Sequence, residues 1–266
     1  MLAIERRNSI FEYLSFNRTA NVSSLAQMMD VTEETIRRDL SVMEKEGKLT
    51  RTHGGAVLSD NAVRTITNDV RVNANKESKQ FIATECAKLV TQGDTLFFDS
   101  STTAYYVAQE LRAMRLTVIT NSLGIANLLK EYPNIHLIGI GGDYDPDMNA
   151  FCSASTIETL NKYYVDKAFF SCRSIDLEAG LTDVVETTRD LRASIIQNSK
   201  YSLCVADKNK FNHCSCMRIC GFESITALIT DYVFDNAWRE RLDSNGVWYL
   251  GRDGSPFSGR ESHLGI

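Results

Sequence analysis

Two adjacent arginines sit inside the segment VTEETIRRDL, residues 31–40, near the start of a 266-residue chain. Each guanidinium offers five N–H donors in a planar fork, so Arg37 and Arg38 can clamp a phosphate or read a guanine edge if the backbone turns them outward. Thr35 and Ser41 add hydroxyls able to reach a phosphate or a base. A second group follows in RTHGGAV, where Arg51 and His53 stand beside the double glycine Gly54-Gly55. That composition lets backbone approach a phosphodiester without side-chain clash. A third group is DSSTT, in which Asp99 is followed by four consecutive hydroxyls, Ser100, Ser101, Thr102 and Thr103. Lying between an apolar run, TLFF, and a helical run from Ala104, these hydroxyls and the local amides converge where a helix N-terminus binds anions. The plainer alternatives are an exposed helix face with a Glu34/Arg38 pair, and ordinary N-capping, which needs a single hydroxyl.

The elements around the arginines are short. Ile4, Ile10, Phe11 and Leu14 predict a first helix ending near Asn17. VSSLAQMMD predicts a short second helix, with Ser24 and Gln27 at capping-box spacing. Thr32 is placed to cap a third, with Glu33 and Glu34 in its positive first turn. On that helix Ile36, Leu40 and Met43 share one face at i, i+4 and i+7, while Glu34, Arg37, Arg38, Ser41 and Lys45 lie opposite. Gly47 ends it, and KLTRTHGGAVL reads as strand, glycine turn, strand. Three helices and a hairpin outline a winged helix-turn-helix over residues 1–58, with two arginines on the helix that enters a major groove.

Residues 59–75 are polar without a sustained period and are expected to be a linker with a short extended piece. From residue 76 to about 250, β-rich runs (DTLFFD, LTVIT, IHLIGI, DKAFFS, YSLCVA) alternate with helical ones, the pattern of an α/β domain built on a mostly parallel sheet. Ligands of such sheets bind at the carboxyl ends of strands, where TNS places Asn121 and Ser122. Residues 251–266 are rich in Gly, Ser and charge, and a mobile tail is expected there.

These motifs together resemble the DeoR family of bacterial transcription regulators. VTEETIRRDL and RTHGGAVL, with Arg7 upstream, are similar to its DNA-binding domain. NKESKQFIA, GDTLFFDSSTTAYYVAQEL, LTVITNS, IGIGG, DKAFFSCRSIDLEAGLTD and VADKNKF resemble its sensor domain in order. The resemblance covers nearly the whole chain to about Leu250. It implies a sensor with the fold of sugar-phosphate isomerases and CoA transferases, and a phosphorylated sugar as effector. It extends the effector set to Gly142 of IGIGG and to Asp207 and Lys210 of VADKNKF, the lysine neutralising ligand charge. Arg173 of SCRSID either reaches the ligand or pairs with an acid on a helix. The family often carries glycine where this chain has Ser101 and Ser174, and near Cys152.

Totals narrow the reading. The net charge of −5 excludes a bulk polycation. Residues 1–51 hold eight Lys/Arg and eight Asp/Glu, so the acidity belongs to the later part, and a neutral segment can still present a basic face. No run of 18 apolar residues occurs and the first residues carry charges, so a cytoplasmic protein is expected. Seven cysteines with no export signal imply reduced thiols. HCSCMRIC offers His213, Cys214, Cys216 and Cys220, but not at a paired zinc-knuckle spacing, so no metal and no cofactor is expected.

The expectation is therefore a non-enzymatic, homo-oligomeric repressor of a sugar-use operon that binds double-stranded operator DNA and answers to a sugar phosphate. One rival is an isomerase-like enzyme using carboxylates such as Asp99, Asp183 and Glu186. The other is a thiol-based redox regulator.

Overall fold

The computed structural model describes residues 2–17, 19–58 and 68–253. The chain divides into two compact units, Met1–Lys76 and Glu77–Ile266.

The first unit opens with α1 (Ala3–Asn17), β1 (Thr19–Asn21), α2 (Val22–Met29) and α3 (Glu33–Lys45). A wing of β2 (Leu49–Arg51) and β3 (Gly55–Leu58) follows, then α4 (Asn68–Asn73). Its core joins Ile10, Phe11 and Leu14 of α1 to Leu25 of α2, Ile36, Leu40 and Met43 of α3, and Leu49 and Leu58 of the wing. The expected stripe on α3 is thus the buried one. Ile4, expected on the stripe of α1, is instead 62 % exposed, because it lies a turn beyond the end of this core. The cap of α2 is Asn21 rather than Ser24: the Asn21 side chain accepts from the Ser24 amide at 2.7 Å, and the helix begins one turn earlier than the Ser24/Gln27 spacing implies. Thr32 caps α3 as expected, accepting from the Thr35 amide. The turn between α2 and α3 passes through Asp30 at φ 52°, a left-handed conformation that a short polar side chain tolerates.

The small sheet has three strands in the order β1-β3-β2, all antiparallel. β1, absent from the sequence reading, explains the second wing glycine. A Cβ on Gly55 would stand 1.9 Å from the Ala20 carbonyl oxygen, so Gly55 is required for the approach of β1. Of the expected linker 59–75, residues 59–67 lie outside the described residues, and Asn68–Asn73 is helical instead of extended.

The second unit contains a seven-stranded parallel sheet. Its elements in chain order are α5 (Lys76–Ala87), β4 (Thr95–Phe98), α6 (Thr102–Leu111), β5 (Leu116–Thr120), α7 (Leu123–Leu129), β6 (Ile135–Gly139), the hairpin β7 (Tyr144–Asp145) and β8 (Ala150–Phe151), and α8 (Ala154–Leu160). There follow β9 (Val165–Phe170), β10 (Ser174–Asp176), β11 (Gly180–Asp183), α9 (Glu186–Gln197), β12 (Ser199–Val205), β13 (Met217–Cys220), β14 (Ala227–Ile229), α10 (Asn236–Ser244) and β15 (Trp248–Leu250). The main sheet runs β15-β14-β12-β9-β4-β5-β6, and β10-β11-β13 form an antiparallel sheet beside it. From β4 the chain builds outward through β5 to β6, then returns to lay β9 on the other flank of β4 and continues through β12, β14 and β15. The order reverses between β4 and β9, and a crevice opens at the carboxyl ends of strands at such a switch point.

Apolar runs on the central strands reflect burial on both faces. Phe97, Phe98, Phe169 and Phe170 are fully buried, and Phe98 stacks on Phe169 with ring centroids 5.3 Å apart. Of the expected tail, residues 254–266 lie outside the described residues. The first three tail residues are held: Gly251 packs against the Tyr232 carbonyl, and Asp253 pairs with Arg239.

Candidate functional site

On α3 the structure puts Arg37 and Arg38 on the solvent side of the helix whose other side carries Ile36, Leu40 and Met43. Their side chains are 51 % and 79 % exposed, and each meets a carboxylate one turn back, Arg37 with Glu33 and Arg38 with Glu34. Thr35 and Ser41 are half-buried at the margin of that face. Arg51, His53 and Gly54 are exposed on the wing, with the Arg51 amide donating to Glu44 of α3 at 2.8 Å. Gly55, expected to face DNA, is turned into the unit against β1.

The brace beneath this surface has no counterpart in the sequence reading. Asp39, on the apolar stripe of α3, takes the guanidinium of Arg6 on α1 at 2.5 Å, and both are buried. Arg7, the neighbour that carried part of the resemblance, is half-buried. The Arg6–Asp39 pair ties the first helix to the third and so fixes how the exposed face is presented.

In the second unit the expected effector residues gather at the carboxyl edge of adjacent strands. Asp99 and Ser100 follow β4, Asn121 and Ser122 follow β5, Arg173 lies three residues beyond β9, and Asp207 two beyond β12. Asp99 is fully engaged. One carboxylate oxygen accepts from the Ser101 amide at 2.9 Å; the other accepts from the Ser171 amide at 3.1 Å and from Arg192 at 3.2 Å. Arg192 also holds Asp183, whose second oxygen accepts from the Val184 amide at 2.7 Å. One guanidinium therefore bridges two buried carboxylates from β4 and β11 directly behind the hydroxyl loop. The shared guanidinium offsets part of the Asp99 charge, which otherwise would repel an anion one residue away more strongly. Asp99 shapes the loop from behind; its oxygens are taken up by the protein.

Ser101 is the N-cap of α6, accepting from the Ala104 amide at 3.2 Å, and its φ of −70° carries no strain where the family often has glycine. The amides of Thr102 and Thr103 belong to the first turn and have no intrahelical acceptor, which makes this end electropositive. Ser122 caps α7 in the same manner, its hydroxyl accepting from Ile125. Gly142 has a packing reason: at φ 145°, a Cβ there would come 2.1 Å from the Thr156 hydroxyl and 2.6 Å from that of Ser153. The Lys210 ammonium donates to the Cys172 carbonyl at 3.0 Å, next to Arg173. Asp207 caps the short turn of Lys208–Lys210 by accepting from the Asn209 amide.

Two buried polar atoms at this edge have no hydrogen-bond partner: Oδ1 of Asn121 and the hydroxyl of Ser171. The Asn121 amide nitrogen donates to the Phe151 carbonyl at 2.8 Å, and since a carbonyl can only accept, this fixes which way the amide faces. Its oxygen is left as an acceptor. Asn121 and Ser171 stand at the ends of β5 and β9, the two neighbours of β4, and so flank Asp99 on either side.

Ser171 and Arg192 are polar residues of this region that the sequence reading did not name, and Asp183 entered it only as a carboxylate of the rival enzyme. Lys79 of α5 is 1 % exposed. The neighbouring Ser78 hydroxyl donates to Asp231 at 2.7 Å, two residues beyond β14. The cysteine-rich stretch is spread out: Cys214 and Cys216 are exposed, and burial pushes the half-buried Cys220 thiol up to about 12. Among the described residues, no three His, Cys, Asp or Glu side chains come together as a metal site. Among the same residues no helix is long and apolar enough to cross a membrane.

Comparison with known proteins follows the two units. Residues 6–62 match the DeoR-like helix-turn-helix domain, and residues 74–232 match the DeoR C terminal sensor domain. The chain is 37 % identical over 247 residues to the uncharacterized HTH-type transcriptional regulator YulB of Bacillus subtilis, covering 93 % of this chain and 96 % of that one. It is 31 % identical to the HTH-type transcriptional repressor GlcR of the same organism, covering 92 % and 95 %. Among solved structures, ribose 5-phosphate isomerase A of Methanocaldococcus jannaschii aligns over 52 % of this chain and 55 % of that one, at 19 % identity and a TM-score of 0.39.

Proposed function

Because the chain belongs to the DeoR family of helix-turn-helix transcription regulators, we propose that it is a repressor whose hold on operator DNA is controlled by a phosphorylated sugar. Residues 1–58 hold the operator, through Arg37 and Arg38 of α3, with Thr35 and Ser41 beside them and Arg51, His53 and Gly54 on the wing's exposed side. Residues 76–250 bind the effector at the carboxyl edge of the sheet. The observation that carries the reading is the solvent-facing arginine pair on a helix whose opposite face is wholly packed into the core. Such a helix is free to enter a major groove without disturbing its own packing.

At the sensor edge the phosphate sits against Ser100, Ser101, Thr102 and Thr103 at the start of α6, where first-turn amides and hydroxyls donate. Arg173 and Lys210 supply positive charge nearby. The sugar's hydroxyls lie towards Asn121 and Ser171, and a hydroxyl donating to Oδ1 of Asn121 would satisfy that acceptor. Asp207 and Ser122 position the turns that frame the site, and Gly142 keeps α8 close. Effector binding changes the arrangement of paired DNA-binding heads in a homo-oligomer, since operator half-sites call for at least a dimer. A relative named as a repressor supports the sign of control.

The enzyme alternative finds less support. Asp99 and Asp183 both rest on Arg192, so neither is poised as a base, and Glu186 is exposed beside Arg189 at the start of α9. A thiol-based regulator needs a cysteine that is both accessible and of low pKa: burial pushes Cys220 up, and Cys172, where burial is outweighed by the hydrogen bond from Cys204 and the charges of Lys210 and Arg192 so that its thiol lies low, is buried. The absence of a membrane-spanning helix among the described residues fits a cytoplasmic regulator.

The test is a thermal-shift screen of the full chain against phosphorylated and unphosphorylated sugars, followed by gel shifts on a duplex selected by the chain from a randomised library. One phosphorylated sugar should raise the midpoint with concentration and alter duplex binding. A chain that selects no duplex motif, or that responds equally to unphosphorylated sugars, defeats the reading.

A further inference from the structure

The two arginines of α3 are paired through different nitrogens. Arg37 meets Glu33 through Nη2 at 2.7 Å, whereas Arg38 meets Glu34 through Nε at 3.3 Å. A guanidinium has two donor forks, the end pair Nη1/Nη2 and the side pair Nε/Nη2. Nη2 has one hydrogen in each fork, so an acceptor on it can take up either. An acceptor on Nε leaves the end fork whole. Arg38, the more exposed of the two at 79 %, therefore keeps an undisturbed pair of parallel donors. That pair matches the O6 and N7 acceptors of guanine in the major groove.

Glu34 is 64 % exposed and negative. A phosphate brought to Arg38 also comes close to this carboxylate and is repelled. An uncharged base edge, with only partial negative charge on O6 and N7, is repelled far less. On these grounds we propose that Glu34 positions Arg38 for bidentate reading of a guanine in the operator and holds it back from the phosphate backbone, so that this carboxylate contributes specificity rather than affinity. The proposal rests on the recognition-helix reading above and assigns Glu34 a role that the acid-in-first-turn account of α3 leaves out. Exposed pairs of this kind are individually weak, so the arginine is biased and not locked. The effect is one of about fivefold to tenfold in the ratio of specific to unrelated binding, roughly the span of a single discriminating contact at its low end.

The experiment uses the full chain and two duplexes of equal length, one selected by the parent from a randomised library and one unrelated, titrated by fluorescence anisotropy over a salt series. Glu34→Gln should bind the unrelated duplex about fivefold tighter, with a steeper dependence of log affinity on log salt, and should gain nothing on the selected duplex. Repeating the selection with Glu34→Gln should lose a guanine preference at one position of each half-site. Glu34→Asp keeps the first-turn charge but is too short to hold Nε, and should reproduce the loss of guanine preference with helix content unchanged by circular dichroism. In an Arg38→Ala background, Glu34→Gln should leave the specificity ratio where it was, placing the coupling in the pair. Glu46→Gln, at the other end of α3 and paired with Lys48, should leave the ratio at the parent value. Tightening of both duplexes alike by Glu34→Gln, or an unchanged guanine preference, overturns the proposal and leaves Glu34 a general charge. If Arg38→Ala binds the selected duplex as the parent does, the recognition-helix assignment itself falls and takes the proposal with it.

Discussion

Each unit buries an arginine against carboxylates, and the two use the device in opposite ways. In the first, Arg6 and Asp39 tie α1 to α3 inside the unit, while the arginines proposed to meet DNA stand in water on the far face of α3. In the second, Arg192 binds Asp99 and Asp183 immediately behind the loop proposed to meet the ligand, so the brace and the site are one assembly. The difference follows from the partners. A duplex is a large polyanion that long, exposed side chains can reach, and much of the binding free energy comes from released counterions. A small ligand must be enclosed, and the groups that meet it have to be held in place before it arrives.

If this comparison is sound, the two braces should differ in what fails when they are cut. Arg192→Leu leaves two buried carboxylates facing one another, and should lower the stability of the second unit by about 3–5 kcal/mol, read by urea denaturation. Asp39→Leu leaves one buried guanidinium at a more accessible position, with an expected loss nearer about 3 kcal/mol, confined to the first unit. Equal losses would erase the difference between the braces, and no loss at Arg192 would show that the sensor brace is ornamental. The next effect separates the two functions. Thr102→Asp puts a carboxylate at the start of α6 and should weaken a phosphorylated effector by several kcal/mol, roughly the magnitude of a like-charge contact, while duplex binding in gel shifts is retained. A normal effector response in that variant would move the phosphate away from this loop. Arg38→Ala should cost about 1–3 kcal/mol of binding to the selected duplex at fixed salt with an unchanged melting temperature, since its side chain lies outside the core. The smallest effect tests the cap of α2: Asn21→Ala should destabilise the first unit by about 1 kcal/mol, and Ser24→Ala by much less. The reverse order would restore Ser24 as the cap.

Periodicity made much of this legible, and the misses share a pattern. The apolar set Ile36, Leu40, Met43 and the strand–helix alternation after residue 76 could be read because each element repeats its own geometry in the sequence. The buried charges could have been read the same way. Asp39 falls with Ile36, Leu40 and Met43 at i, i+3, i+4 and i+7. Lys79 falls with Ile82, Ala83 and Cys86 at the same spacing, and Arg192 with Thr188, Leu191 and Ile195. In each case a charged residue occupies the buried stripe of a helix, and the structure buries it. The signal was present, but a rule that assigns charge to the solvent face passes over it. Strand β1 left no signal of comparable strength: three residues, Thr-Ala-Asn, carry no period, and only pairing with β3 makes them a strand.

From sequence alone come the local elements, the outward arginines, the hydroxyl loop and the family they belong to, because these depend on residues close together in the chain. Tertiary structure alone decided that β9 returns to the flank of β4, which sets the switch point beside Asp99. It also brought Asp99, Asp183 and Arg192 together across residues 99–192, left Oδ1 of Asn121 and the hydroxyl of Ser171 without partners on either side, and assigned Gly55 to the β1 contact. Contacts between residues so far apart in the chain are set by how strands order and helices pack, and no spacing within a single segment encodes that order.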